Sequence, residues 1–412
     1  MRPRRIAVVL GLLEIFGPIS MDLYLPVLPQ LADDLGASES LAQATMSVCM
    51  LGLAFGQLVL GPLSDRFGRR PPLLAGTGLF AVLSLVCAVA PSIELLLAAR
   101  LLQGLCGSAG IVISLAVARD VAEGAELVRL LAMLTTVGAL APIVAPVVGG
   151  QLATVMGWRG IFVVLAGIGV ALFLLAVTAL PETRASTARR RASEFGAVLR
   201  DPLFPWFLLV STCGGAAFFT YLASVSFVLQ DNFSLSPRVF SLCFAASAVM
   251  SVLGALINRA VVRRAGPARM YTIGTTATAL AALAMLMAVL LGAGLVGVLI
   301  PLALLMLAAG GTQANGSALA LAEHGERAGT AAALLGTSSF ALGPLVAPLV
   351  SLGGTSPLSM SLTITVAYGC AAALVWLAVL PRLRAIVGAD RIAYRIRHSR
   401  CCEVIPCPHR RP

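Results

Sequence analysis

The sequence contains no lysine. All 29 of its basic residues are arginine, against 18 acidic residues, for a net charge of +11. Histidine is almost as scarce, with His324, His398 and His409 the three in the chain, and charged residues make up only 11% of it. So few titratable side chains, spread this thinly, supply no convergent set for an embedded enzyme. No glycine-rich phosphate loop and no metal-spaced motif is present, so no cofactor and no metal are expected. Long polar stretches are missing as well, which leaves no room for a separate signalling domain and argues against a receptor. The first apolar run follows Arg2, Arg4 and Arg5 but lacks a small-x-small cleavage site, so it reads as a retained helix and not a secretion signal. Cysteines occur singly inside apolar runs (Cys49, Cys87, Cys106, Cys213, Cys243, Cys370), where they act as small apolar residues. Cys401, Cys402 and Cys407, beside His398 and His409, match no common zinc spacing and belong to a basic tail.

What fills the chain is hydrocarbon. Hydrophobic residues make up 59% of the sequence, and its mean hydropathy is +0.96. Runs of about 20 apolar residues, each able to cross a hydrocarbon core of roughly 30 Å as a helix, recur from end to end. Twelve spans are expected, at 6–30, 41–62, 72–90, 93–118, 129–153, 159–180, 204–229, 239–262, 270–291, 294–322, 329–352 and 357–380. An even number of spans puts both termini on one side, and 26 of the 29 arginines then share that side, all but Arg100, Arg159 and Arg238. Positive residues stay inside, so both termini are expected in the cytoplasm of a multi-pass protein of the inner, or plasma, membrane. The net charge records this asymmetry and contact with anionic lipid, not nucleic-acid binding.

The chain also repeats itself. "PIVAP" at 142–146 returns as "PLVAP" at 344–348, and "DRFGRRP" at 65–71 has an echo in "RRAGPAR" at 263–269. Offsets of 202 and 198 divide the chain into an N-terminal six-helix bundle (1–180), a cytoplasmic linker (181–203), a C-terminal six-helix bundle (204–380) and the tail (381–412). Halves that start on the same side are parallel repeats, with a site expected between them at mid-membrane.

In the loop "GPLSDRFGRRPPLL" (61–74), Gly61 and Gly68 are expected to allow a tight turn. Asp65 can accept bonds from a helix N-terminus or from arginines, and Arg66, Arg69 and Arg70 can reach lipid phosphates or acids. This spacing resembles the signature loop of the major facilitator superfamily. "RLLQGLCGSAG" (100–110) resembles the superfamily's R-x-x-Q-G motif, and "GALAPIVAPVVGG" (138–150) its Gly/Pro-rich antiporter motif, with Ala where a Gly-Pro pair often stands. "PET" (181–183) is also typical. "ISMDLYLPVLPQL" (19–31) and "GGTQANGSALALAEHGERAGTAAALLG" (310–336) look like the Bcr/CflA drug-resistance subfamily, with Met21 and Leu23 departing mildly from the usual pattern. The resemblance covers residues 6–380 and implies an all-α fold and proton-driven efflux of small drugs, chloramphenicol-like or bicyclomycin-like, by a monomer. An importer or a metabolite exporter on the same fold remains open.

Residue types then suggest roles. Gly61, Asp65, Arg66, Gly68, Arg69, Arg70 and Arg119 form the expected conformational motif on the cytoplasmic side. Pro142, Pro146, Gly149 and Gly150 form either a flexible seal between halves or ordinary small-residue packing. Tyr24, Gln103, Phe218, Phe219, Tyr221, Gln313 and Asn315 are candidate substrate contacts, aromatic or amide groups in mid-span. Glu14 and Asp22 interrupt the first span, and an acid inside a membrane costs roughly 2.5–3.5 kcal/mol on insertion scales. Arg100 lies about 10 Å deep in the fourth span, at a depth similar to that of Asp22. Buried ionisable groups usually pair, so these belong either to a structural salt bridge or to a proton-coupling network shared with Gln103. On a continuous helix Glu14 and Asp22 stand about 80° apart and both face the cavity. Desolvation raises an acid's pKa and a nearby arginine lowers it, so an acid alternating between such surroundings carries protons. Asp22 is expected as the principal coupling site, Glu14 as a second proton or cationic-drug site, and Arg100 as a modulator.

Overall fold

The computed structural model describes residues 3–122, 124–183, 195–322 and 354–384, with position 324 and scattered positions from 331 to 348. Ten helical stretches among them are long and apolar enough to cross a membrane. The chain runs through α1 (Pro3–Glu14), α2 (Phe16–Asp22), a 3-10 turn (Leu25–Val27), α3 (Leu28–Asp34), α4 (Glu39–Phe67), α5 (Arg70–Ala88), α6 (Ile93–Val121) and α7 (Gly124–Ala179). It continues through α8 (Phe195–Leu199), α9 (Phe204–Phe227) with a π turn at Val228–Asn232, α10 (Pro237–Ala265), α11 (Pro267–Leu290), α12 (Gly294–Leu321) and α13 (Pro357–Leu374) with a π turn at Val375–Val379.

Two features reconcile ten stretches with the twelve expected. The fifth and sixth spans join in the 56-residue α7, whose backbone leaves helical geometry at Gly157 (φ 60°, ψ −171°). Most of the eleventh lies outside the described residues, as does the tail from 385 onward.

The repeat has a structural counterpart at its turns and contacts. Gly68 (φ 95°) closes α4 and Gly266 (φ 81°) closes α10, 198 residues later. Positive φ is available to glycine at no steric cost, so each half can fold back tightly at this point. Gly61 is not part of this turn: it lies inside α4, where its carbonyl accepts a bond from Ser64. Ser38 and Ser236, again 198 residues apart, cap α4 and α10 through their side chains. Gly52 of α4 rests against the Leu101 carbonyl of α6, and Gly254 of α10 against the Leu307 carbonyl of α12. In a membrane such small-residue seams replace the hydrophobic effect as the reason helices associate.

The first seven helices pack among themselves, as do α9 to α13, and the main helix-on-helix contact between the sets is α7 against α10. Five hydrogen bonds join the sets among the described residues. Ser40 donates to the Pro348 carbonyl (2.7 Å), Gln43 to the Thr355 hydroxyl (2.8 Å), and the Thr355 amide to Glu39 (2.5 Å). Ser226 donates to the Leu25 carbonyl (2.7 Å) and Gln230 to the Pro26 carbonyl (3.0 Å). All five lie toward the end that carries residues 34–39 and 354–356. At the opposite end, which carries the 65–70 loop, no hydrogen bond among the described residues joins the two sets, and Gly336 faces the loop across a gap. The molecule is sealed at one end.

Candidate functional site

The first span is not one helix. Glu14 ends α1 and Asp22 ends α2. Proline explains both breaks. Pro18 and Pro26 each follow an acid by four residues, and a proline has no amide hydrogen to return to the carbonyl four residues back. The expected 80° relation between the two acids assumed one continuous helix, which the break at Ile15 replaces with two. Glu14 turns to α6, where the Ser114 hydroxyl donates to it at 2.6 Å. Asp22, only 5% exposed, lies within electrostatic reach of Tyr221 on α9. Among the described residues it makes no hydrogen bond and no ion pair.

Arg100 does not pair with either acid, contrary to the expected pairing. Its guanidinium is fully buried. It donates to Gln103 Oε1 at 2.6 Å and to the Ser20 carbonyl at 3.3 Å, and it approaches Met21 Sδ at 3.4 Å. It also lies over the Tyr24 ring, 4.4 Å from its centre. Its Nε has no hydrogen-bond partner among the described residues. A desolvated cation over an aromatic face gains about 2 kcal/mol, which offsets only part of the several kcal/mol that burying an ion costs. Gln103 is fixed in turn by donating to Ser84 at 2.7 Å, and Tyr24 by sharing a 3.0 Å bond with Thr45. Both are wholly buried. They support the arginine and do not line the cavity described below. Arg100 therefore meets the first span at Ser20 and Met21, and neither Glu14 nor Asp22 neutralises it.

The 65–70 loop is a polar hub. Arg69 contacts Asp65 at 2.5 Å, Asp120 at 2.8 Å and the Ser64 hydroxyl at 3.0 Å. Donating to Asp120, and then to Asp65, pushes the Arg69 guanidinium above its ordinary range, so it stays charged. Asp65 accepts from an arginine as expected; the helix N-terminus expected to face it, near Gly329, lies outside the described residues. Glu182 of "PET" accepts from the amides of Arg69 (2.7 Å) and Arg70 (3.1 Å) at the start of α5, where a carboxylate suits the helix dipole. Arg70 donates to the Val177 carbonyl, and Arg66 lies 5.3 Å from the Phe67 ring. Arg119 lines the gap beside the loop, with Gly61 and Asp65.

In the Gly/Pro-rich stretch, Gly149 packs against the Leu23 backbone and Gly150 against Ser241 and the Pro237 carbonyl of α10. These two glycines therefore set how closely α7 approaches the broken first span on one side and the second set of helices on the other. Pro146 is buried, whereas the side chain of Pro142 lies outside the described residues.

A cavity of roughly 370 Å³ opens among α9, α11, α12 and α13. Phe218, Phe219 and Gln313 line it as expected, together with Tyr271, Thr312 and Tyr368, and none of its lining side chains is charged. Tyr221 and Asn315 are elsewhere. Tyr221 stacks on Phe244, with ring centres 5.7 Å apart. Asn315 exchanges amide bonds with Asn258 of α10 (2.7 and 3.4 Å), joining α10 to α12.

Comparison with known proteins agrees with this architecture. The chain superposes on a bacterial homologue of the human lysosomal transporter Spinster in an inward-facing, unoccupied conformation, with a TM-score of 0.75 at 16% identity, covering 93% of this chain and 98% of the other. An uncharacterized MFS-type transporter of Bacillus subtilis, YdgK, is 38% identical over 86% of this chain and 90% of its own length. A bicyclomycin resistance protein homolog of Haemophilus influenzae is 29% identical over 83% and 87%. The model of the major facilitator superfamily matches residues 10–348. On its membrane-spanning fold and on this match, the chain is a transporter and not an enzyme, and it belongs to the major facilitator superfamily.

Proposed function

We propose that this chain exports small, uncharged, amphipathic drugs of the bicyclomycin or chloramphenicol kind in exchange for protons, by alternating access across the cytoplasmic membrane. Two six-helix bundles rock against each other in a monomer whose termini both lie in the cytoplasm, with the drug received in the cavity among α9, α11, α12 and α13 of the second bundle. One observation carries the reading: two carboxylates stand at the breaks of the first span, and the buried Asp22 has no hydrogen-bond or ion-pair partner among the described residues. The name of the Haemophilus relative supports the drug class, and the uncharged cavity lining favours a neutral ligand.

An acid removed from water and left without a cation favours its neutral form. Loss of the Asp22 proton therefore leaves an unpaired anion, and Arg100 is a candidate counter-charge because it already bonds the Ser20 carbonyl two residues away. Meeting it requires the irregular stretch around Leu23 to repack. The same stretch supplies the Leu25 and Pro26 carbonyls that bind Ser226 and Gln230 across the seal. Protonation at Asp22 is thereby linked to opening at the sealed end, with Glu14 and its Ser114 partner as a second proton site.

The test is proton release when bicyclomycin or chloramphenicol is added to purified protein in weakly buffered detergent solution. Release is expected from wild type, reduced in Asp22→Asn or Glu14→Gln, and absent in the double variant. Undiminished release from the double variant would place the coupling on other groups. No release from wild type, with no resistance conferred on a pump-deficient host, would point to an endogenous metabolite instead.

A further inference from the structure

A second concavity shares no lining residue with the cavity among α9, α11, α12 and α13. It is a groove of about 740 Å³ on the outer face of the second helix set, between α11 and the helix that continues from α13. Its walls are apolar and face the bilayer: Ile273, Leu280 and Trp376 are each about half exposed or more. Trp376 is held in place by donating its indole N–H to Thr276 at 2.9 Å. At one end of the groove stand Arg269 and Arg384. Both are exposed, and neither has an ion-pair or hydrogen-bond partner among the described residues. The lining contains no acid.

Neither arginine is accounted for by local structure. Arg269 is in the first turn of α11, where the helix dipole disfavours a cation. Nearby Arg382 is engaged elsewhere, over the Trp206 ring and bonded to the Ala378 carbonyl. A strip of hydrocarbon that ends in two unpaired guanidiniums is complementary to one kind of molecule, an acyl chain with an anionic head. Basic pockets between helices at a membrane face recognise anionic lipid head groups in this way, and guanidinium binds phosphate with two parallel donors. The segment after residue 384 is a poor rival occupant, because six arginines against two acids would bring like charge to the pair.

We infer that this groove is a binding site for an anionic glycerophospholipid, with the acyl chain along Ile273, Leu280 and Trp376 and the head-group phosphate held by Arg269 and Arg384. Binding there bridges α11 and the last span, so it braces the second set of helices without entering the transport cavity.

The probe is phosphatidylglycerol brominated on its acyl chains, with brominated phosphatidylcholine for comparison. Tryptophan emission of the full-length protein in detergent is followed during titration. Phosphatidylglycerol should give saturable quenching at several-fold lower concentration than phosphatidylcholine, and Trp376→Phe should remove that component. Arg269→Gln with Arg384→Gln should abolish the preference. Arg263→Gln with Arg264→Gln, which removes two charges at the end of α10 outside the groove, should retain it. Equal quenching by both lipids, or equal loss of preference in the two double variants, would overturn the assignment and leave an unselective annular lipid with diffuse surface charge.

Discussion

Arg69 holds together three stretches of chain. Asp120 lies 51 residues beyond it and Glu182 113 residues beyond it, yet both meet Arg69 within hydrogen-bond distance. The loop was legible in the sequence as a motif, but its partners were not, because spacing along a chain carries no information about contacts so distant. Removing one partner of such a buried pair costs about 3–5 kcal/mol. Arg69→Gln should therefore lower the melting temperature of purified protein sharply, whereas Arg269→Gln, an exposed arginine with no ion pair among the described residues, should barely change it. Asn315 and Gln313 divide in another way. In sequence both are mid-span amides, and only the structure separates one that clasps Asn258 from one that faces the cavity. Interhelical hydrogen bonds in membranes average about 0.6 kcal/mol, with maxima near 1.7. Asn315→Ala is thus expected to cost stability within that range and keep the drug profile, while Gln313→Ala keeps stability and changes the profile, as read by melting curves beside a resistance panel.

Elements add what single residues do not. The break in the first span was missed in the sequence, where length and hydropathy suggest one continuous helix; its signal is Pro18 and Pro26, each four residues after an acid. The seal at the end carrying Thr355 was not legible, because its bonds join positions more than 200 residues apart. Thr355 receives the Gln43 amide on its hydroxyl and gives its own amide to Glu39, so one residue before α13 fastens it to α4. Thr355→Val removes the first of these bonds and leaves the second. A bond worth about 1 kcal/mol changes a two-state population roughly five-fold. A cysteine replacing Val228, wholly buried behind the seal, should react about five-fold faster with a water-soluble thiol reagent in the Thr355→Val background. Unchanged reactivity would mean that the seal does not depend on this contact.

At the scale of the whole molecule, the bonds that join the two sets among the described residues cluster at one end, and a concavity lies beside the 65–70 loop at the other. In the proposed orientation, drawn from the arginine distribution, the end carrying the 65–70 loop faces the cytoplasm. In a variant cleared of reactive native cysteines, an impermeant external reagent should label a cysteine at Asp34 or Gly354 and not one at Arg190. External labelling at 190 would invert the orientation. The central claim, that Asp22 and Glu14 carry protons in exchange for drug, is tested most directly in proteoliposomes with an acidic interior. Wild-type protein should concentrate chloramphenicol or bicyclomycin inside above equilibrium, and collapse of the pH gradient should abolish the accumulation. Asp22→Asn with Glu14→Gln should abolish it with the gradient intact, while passive exchange of drug at equal pH continues. Accumulation by that double variant at the wild-type level would contradict the account.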